Sequence, residues 1–253
     1  MKRLLAVKII FLLQLLPSLV WAGNLEKFIE GVENPRLALS QATKHNFKNV
    51  FRLESQRDIN ERLLELANDG NVLAQMFLAG MFMKSTRIPN RDKLAAKWFY
   101  LAAKQGVVVA QSTMGDLFRM GKGVPEDKQK AFYWTNLAAN QGDVPAQSNL
   151  GIMYRNGYFV KKDNVAAVKW FRRAAENGFA SAQTNLGVSY AKGFGGLTTN
   201  YIKAHMWFTL SLSLQGRKAK KLLQSIERRM TPPQIALARE LALQCQKNNY
   251  KGC

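Results

Sequence analysis

Residues 110–145 read AQSTMGDLFRMGKGVPEDKQKAFYWTNLAANQGDVP, and the chain repeats this sentence with variations. The preceding 36 residues, 74–109, read AQMFLAGMFMKSTRIPNRDKLAAKWFYLAAKQGVVV, and the following 36, 146–181, read AQSNLGIMYRNGYFVKKDNVAAVKWFRRAAENGFAS. A fourth copy spans 182–218 and begins AQTNLGVSYAKGFGG. Each copy opens on Ala-Gln, at Ala74, Ala110, Ala146 and Ala182. A tryptophan follows 24 residues later at Trp98, Trp134 and Trp170, and 25 later at Trp207, so the fourth loop carries one extra residue. Glycine closes each unit at Gly106, Gly142, Gly178 and Gly216. A fixed period of this length is the mark of stacked structural repeats.

Each copy reads as two helices. In the first, helix A, Ala110, Met114 and Phe118 fall on one stripe, as do Ala146, Leu150, Tyr154 and Ala182, Leu186, Tyr190. Spacing of i, i+4, i+8 defines one helical face. Beside that stripe stands a small residue, Ala79, Gly115, Gly151 or Gly187. Glycine within a helix costs about 1 kcal/mol relative to alanine, so its recurrence predicts a neighbouring helix in close approach. Helix A is expected to stop at Gly121 and Gly157. The second, helix B, is expected to start after Asp127, Asp163 or Asn200, whose side chains suit an N-cap. The tryptophans, together with Phe82, Phe118, Tyr154 and Tyr190, are expected in the core.

These residues follow the pattern A-x3-L-G-x2-Y-x2-G-x-G-V-x2-D-x3-A-x2-W-x3-A-A-x2-G, which resembles the Sel1-like repeat, a relative of the tetratricopeptide repeat. The span from Ala110 to Gly142 carries the likeness, with Met114 and Phe118 as departures. The resemblance implies an all-α fold, a right-handed α/α solenoid of helix-turn-helix repeats. It also implies a scaffold that mediates protein–protein contacts in envelope assembly, signalling or host-cell interaction. Four repeats are expected at 74–109, 110–145, 146–181 and 182–218. Residues 219–253 are expected to form closing helices, with a half-unit from Ala219 to Glu227. Residues 23–73 are expected to form N-terminal capping helices and a degenerate repeat, in which Leu63 to Gly70 resembles a helix B.

Residues 1–22, MKRLLAVKIIFLLQLLPSLVWA, have a basic start at Lys2, Arg3 and Lys8, a short apolar centre and a break at Pro17. That order predicts a Sec-type signal peptide cleaved between Ala22 and Gly23. The competing reading is a retained anchor, but the apolar run falls short of the roughly 20 residues that span a bilayer. The expected location is periplasmic or secreted, with no stable membrane span after cleavage. Residues 23–57 read either as a cap or as a lost repeat.

The formal net charge is +20, from 37 Lys and Arg against 17 Asp and Glu. Such a balance raises nucleic acid as a partner, but an exported chain without a groove-reading motif argues against it. An acidic protein or peptide fits better, as does an anionic cell-surface polymer. Lys161, Lys162, Lys169, Arg172 and Arg173 equally suit a solvated helix face. The two cysteines, Cys245 and Cys253, are expected to form a disulfide in an oxidising compartment, with free thiols or a link to another chain as alternatives.

No catalytic constellation is found, and no cofactor or metal is expected. The two histidines, His45 and His205, lie far apart, and His205 sits where the other copies have Ala96, Phe132 and Val168, so a packed imidazole is expected. Cysteine-rich relatives of the family have been described as penicillin-binding or β-lactamase-like, and no serine-lysine nucleophile is present in context here. A binder or hydrolase acting on anionic cell-wall material, peptidoglycan or a β-lactam, is the second functional class. For the scaffold reading, the partner-binding residues should line the inner, concave face of helix A. Those positions are Thr113, Asn149 and Asn185, three after the opening alanine, and Arg119 and Arg155, nine after it. Asn and Arg in register can grip an extended chain through its amides and carboxylates.

Overall fold

The computed structural model describes residues 63–214 and 218–253. The expected signal peptide with its Ala22–Gly23 cleavage site, His45, residues 23–62 and Gly216 lie outside the described residues. Among the described residues there are helices and no strand. After a helical stretch at residues 63–68 come α1 (Val72–Lys84), α2 (Arg91–Lys104), α3 (Val108–Met120), α4 (Lys128–Asn140) and α5 (Val144–Asn156). They continue as α6 (Asn164–Ala175), α7 (Ala180–Lys192), α8 (Tyr201–Ser213), α9 (Ala219–Glu227) and α10 (Pro232–Lys247). Odd-numbered helices through α7 are helices A and even-numbered ones through α8 are helices B. This is an α/α solenoid architecture built of helix–turn–helix repeats, as the 36-residue period predicts.

The chain divides into two compact units. The first holds the described residues up to Thr113 together with the loop Gly121–Pro125. In it α1 packs on α2, around Leu63, Ala74, Leu78, Trp98 and Phe99, all buried. The second holds Met114–Met120 and Glu126–Cys253, with α5, α6, α7 and α8 packed in sequence and α8 also against α9 and α10. Its core runs from Ala167 and Phe171 through Leu186, Trp207 and Phe208 to Ala242 and Cys245.

The turn between the helices is fixed in one way in the second, third and fourth repeats, whereas in the first Asn90 precedes α2 in a left-handed conformation without a side-chain cap. The backbone N–H of Asp127, Asp163 and Asn200 donates to the carbonyl of Phe118, Tyr154 and Tyr190 respectively. The side chains of the same three residues accept from the backbone N–H of Lys130, Ala166 and Lys203, each at 2.9 Å. The three N-caps expected from the sequence are therefore made, and each also ties helix B to the end of helix A.

Close approach at the small-residue register is also present. A Cβ added to Gly151 would fall 2.6 Å from a ring carbon of Phe171, and one added to Gly187 would fall 2.6 Å from a ring carbon of Phe208. At Gly115 the residue pressed into the notch is Thr135. The knob is thus the residue after the tryptophan, a role the sequence did not reveal. Trp98, Trp134 and Trp207 are buried as expected. Trp170 corrects that expectation: it is half-buried, and its ring carries the Arg173 guanidinium at 5.2 Å. Phe118 and Tyr190 are buried, whereas Phe82 and Tyr154 are only half-buried.

The second residue of each Ala-Gln opening is buried despite its polarity. Gln75, Gln111, Gln147 and Gln183 donate from Nε2 to the carbonyls of Ala67, Ala103, Ala139 and Ala175 at 3.0 to 3.2 Å. Those carbonyls lie at the end of the preceding helix and also accept from the backbone N–H of the closing glycines Gly70, Gly106, Gly142 and Gly178, so the glutamine takes their second lone pair. The glutamine therefore clamps each repeat to the one before it.

Candidate protein-binding face

The five helix-A residues marked by the sequence have different fates. Thr113 is half-buried and its hydroxyl donates to the Val109 carbonyl of its own helix at 2.8 Å. In the second unit, Arg155 on α5 donates from Nη1 to Asn185 Oδ1 on α7 at 2.7 Å, and from Nε to Asn156 Oδ1 at 3.2 Å. Its guanidinium also lies 5.6 Å from the centre of the Phe171 ring, and burial lowers its pKa from the ordinary arginine value. Arg155 and Asn185 are thus brought together as a bridge between successive helices A.

One repeat earlier the equivalent pair is Arg119 and Asn149, and it is not joined. Arg119 is exposed and folds back onto Asp116, donating from Nε at 3.2 Å and from Nη2 at 2.9 Å. Asn149 is half-buried and its carboxamide has no hydrogen-bond partner among the described residues. An asparagine side chain offers two donors and an acceptor, the complement of an extended backbone's C=O and N–H. A surface ion pair such as Arg119–Asp116 is worth only about 0–1 kcal/mol, so a competing carboxylate displaces it at small cost.

His205 is packed, as expected, and fully buried on α8. Its Nε2 lies 3.0 Å from Glu227 Oε1 of α9 and its Nδ1 lies 3.3 Å from Thr209 Oγ1. Glu227 also meets Arg239 of α10 at 3.4 Å, so this polar cluster joins the last helices. Cys245 and Cys253 are joined, with Cα atoms 5.7 Å apart. The tail they close turns back on the second unit. Tyr250 packs against its core and Lys251 Nζ donates to Asn177 Oδ1 at 3.2 Å. No group of three or more His, Cys, Asp or Glu placed to hold a metal occurs among the described residues. No helix among them is long and apolar enough to cross a membrane.

Antiparallel helix pairs in register, with packing residues repeated and polar helix-A residues varied, define a repeat protein whose faces are free to bind. The family model for the Sel1 repeat matches residues 72–107, 108–143, 144–179 and 180–215, more than half of the chain. The chain belongs to the Sel1 repeat family. Its fold is similar to that of a protective antigen of uropathogenic Escherichia coli strains displaying an SLR fold, with TM-score 0.68 and 27% identity over 78% of this chain. The chain spans 43% of that antigen's length. It is also similar to a Sel1 repeat protein from Oxalobacter formigenes, with TM-score 0.60 and 31% identity, covering 72% of this chain and 75% of the other. No curated protein matches the chain. Sel1 repeat proteins are generally protein-interaction scaffolds.

Proposed function

We propose that this chain is an exported, non-enzymatic scaffold that holds an extended segment of a protein partner along the helix-A face of α3, α5 and α7. The observation that carries this reading is the contrast between equivalent pairs: Arg155–Asn185 is closed, while Asn149 is without a partner among the described residues and the exposed Arg119 rests on the half-buried Asp116. The open pair has the donors and acceptor for a peptide backbone, and the closed pair keeps the neighbouring helices at fixed spacing. The basic balance of the chain favours an acidic segment. Residues 1–22 support export, and a disulfide at the C-terminus suits an oxidising compartment.

The test is binding of a partner captured by cross-linking from envelope extract. Asn149→Ala is expected to weaken binding by about tenfold, the equivalent of one lost hydrogen bond, with unchanged helicity and melting temperature. Asn185→Ala is expected to affect both, because it releases Arg155. Equal affinity in wild type and Asn149→Ala would remove the site from this face. Export is tested separately: the native protein should begin at or near Gly23 by mass spectrometry, and an intact Met1 in the membrane fraction would contradict it.

A further inference from the structure

The opposite kind of face, on a helix B of the second unit, carries a hollow that packing does not explain. It is bounded by α6 and by Gly195 in the loop between α7 and α8, and measures roughly 360 Å³. The loop lies directly on the start of α6. A Cβ at Gly195 would press on the Asn164 carbonyl oxygen and on a Val168 methyl, so the wall there is bare backbone. Val165 and Val168 form the apolar floor, and Val165 is 64% exposed.

Lys169, Arg172 and Arg173 stand around that floor. Two of them are held in place. Arg172 donates from Nη2 to Tyr190 Oη at 2.9 Å, and Arg173 lies over the Trp170 ring. Among the described residues none of the three has a carboxylate within ion-pair distance, although Glu176 closes one end of the hollow. The corresponding positions of α4 are Tyr133, Asn136 and Leu137, and those of α8 are Met206, Thr209 and Leu210. Packing positions recur from repeat to repeat, and this cationic triplet is absent from the repeats on either side.

The combination selects among anions. A long polyanion would meet Glu176 and leave the valines bare, and a small anion would leave the floor in water. An apolar side chain flanked by carboxylates satisfies both parts, removing Val165 and Val168 from water while pairing the cations. We propose that this hollow is a second docking site, distinct from the helix-A face, for an acidic protein segment that seats one apolar side chain on Val165 and Val168 and sets carboxylates against Lys169, Arg172 and Arg173. The inference does not rest on the helix-A reading, and together the two sites would let one chain bridge two partners.

The probe is a fluorescein-labelled Gly-flanked peptide, Asp-Asp-Leu-Asp-Asp, titrated with the full chain and followed by anisotropy. Saturable, salt-sensitive binding is expected, weakened by at least about tenfold in the K169E/R173E protein and unchanged in K220E/K221E, which makes the same change of charge at exposed positions of α9. Replacing the peptide's leucine by serine is expected to abolish it. Val165→Lys separates the two components at an exposed position that folding tolerates, because it adds a positive charge while removing the apolar floor. Weaker binding in that variant supports the site as drawn. The proposal is overturned by equal or tighter binding to Val165→Lys, by equal binding of the serine peptide, by indifference to K169E/R173E, or by no binding at millimolar peptide.

Discussion

At the scale of single residues, Trp170 and Trp207 hold the same place in their repeats and have different surroundings. Trp207 is fully buried within a cluster that includes Phe208, Leu210 and Ala242. Trp170 keeps part of its surface in water, and a guanidinium lies over its ring instead of a packed side chain. Emptying a large aromatic core site costs on the order of 3–5 kcal/mol. Trp207→Ala is therefore expected to lose stability in that range by urea denaturation. Trp170→Ala should lose clearly less, because water already reaches part of its ring and fewer contacts are given up. Equal losses would mean that Trp170 is buried in solution, and the knob assigned to Phe171 would then need revision.

At the scale of elements, helix B of the second, third and fourth repeats begins on a side chain that accepts from the backbone N–H of the helix's third residue. This cap and the amide it directs to helix A fix the angle of the hairpin. Asn200→Ala should destabilise the protein by about 0.5–2 kcal/mol, the usual range for a lost N-cap. Asp127 makes the same bond with a group that titrates. The backbone N–H of Lys130, followed by its side chain, holds the Asp127 carboxyl below its ordinary 3.8. A depressed folded-state pKa means that the contribution is complete above the unfolded value and is lost as pH falls through the folded one. Exchange protection of the Lys130 amide should accordingly decline on acidification below about pH 4, whereas that of Lys203, capped by the non-titrating Asn200, should not follow the same curve. Parallel loss at both amides would point to general acid unfolding instead of a cap.

At the scale of the molecule, the helices that follow the fourth repeat cover its helix B, with α9 and α10 lying against α8. α10 starts with a capping box, in which Thr231 and Gln234 exchange side chain to backbone bonds. The disulfide between Cys245 and Cys253 then holds Tyr250 against the core of the second unit and Lys251 beside Asn177. A loop of this size restricts the unfolded chain by about 2–3 kcal/mol in the chain-entropy account. The Cys245→Ser/Cys253→Ser protein should therefore melt lower than wild type, and reductant should lower the wild type to the same value. A melting temperature indifferent to reductant would show that the tail packs as well without its covalent tie.

What the sequence determined by itself is what repeats: the 36-residue period, the paired helices, the caps at Asp127, Asp163 and Asn200, and the notch at Gly115, Gly151 and Gly187. These features are local or periodic, so spacing along the chain is enough to read them. The recurring glutamine at the head of each repeat was equally visible, and a polar residue kept in register beside an apolar stripe is a signal of buried hydrogen bonding. Its acceptor, the end of the previous helix B, belongs to another element and needed the fold. The same is true of the candidate sites. Sequence placed Arg119, Asn149, Arg155 and Asn185 at two registers of one helix-A face, yet only tertiary structure decided that Arg155 closes on Asn185 while Arg119 turns to Asp116. Likewise Lys169, Arg172 and Arg173 suited a solvated helix face as well as an anionic partner. The loop at Gly195, 19 residues beyond Glu176 in the chain, makes that face a hollow, because enclosure depends on what lies across from a residue and not on what lies beside it in sequence.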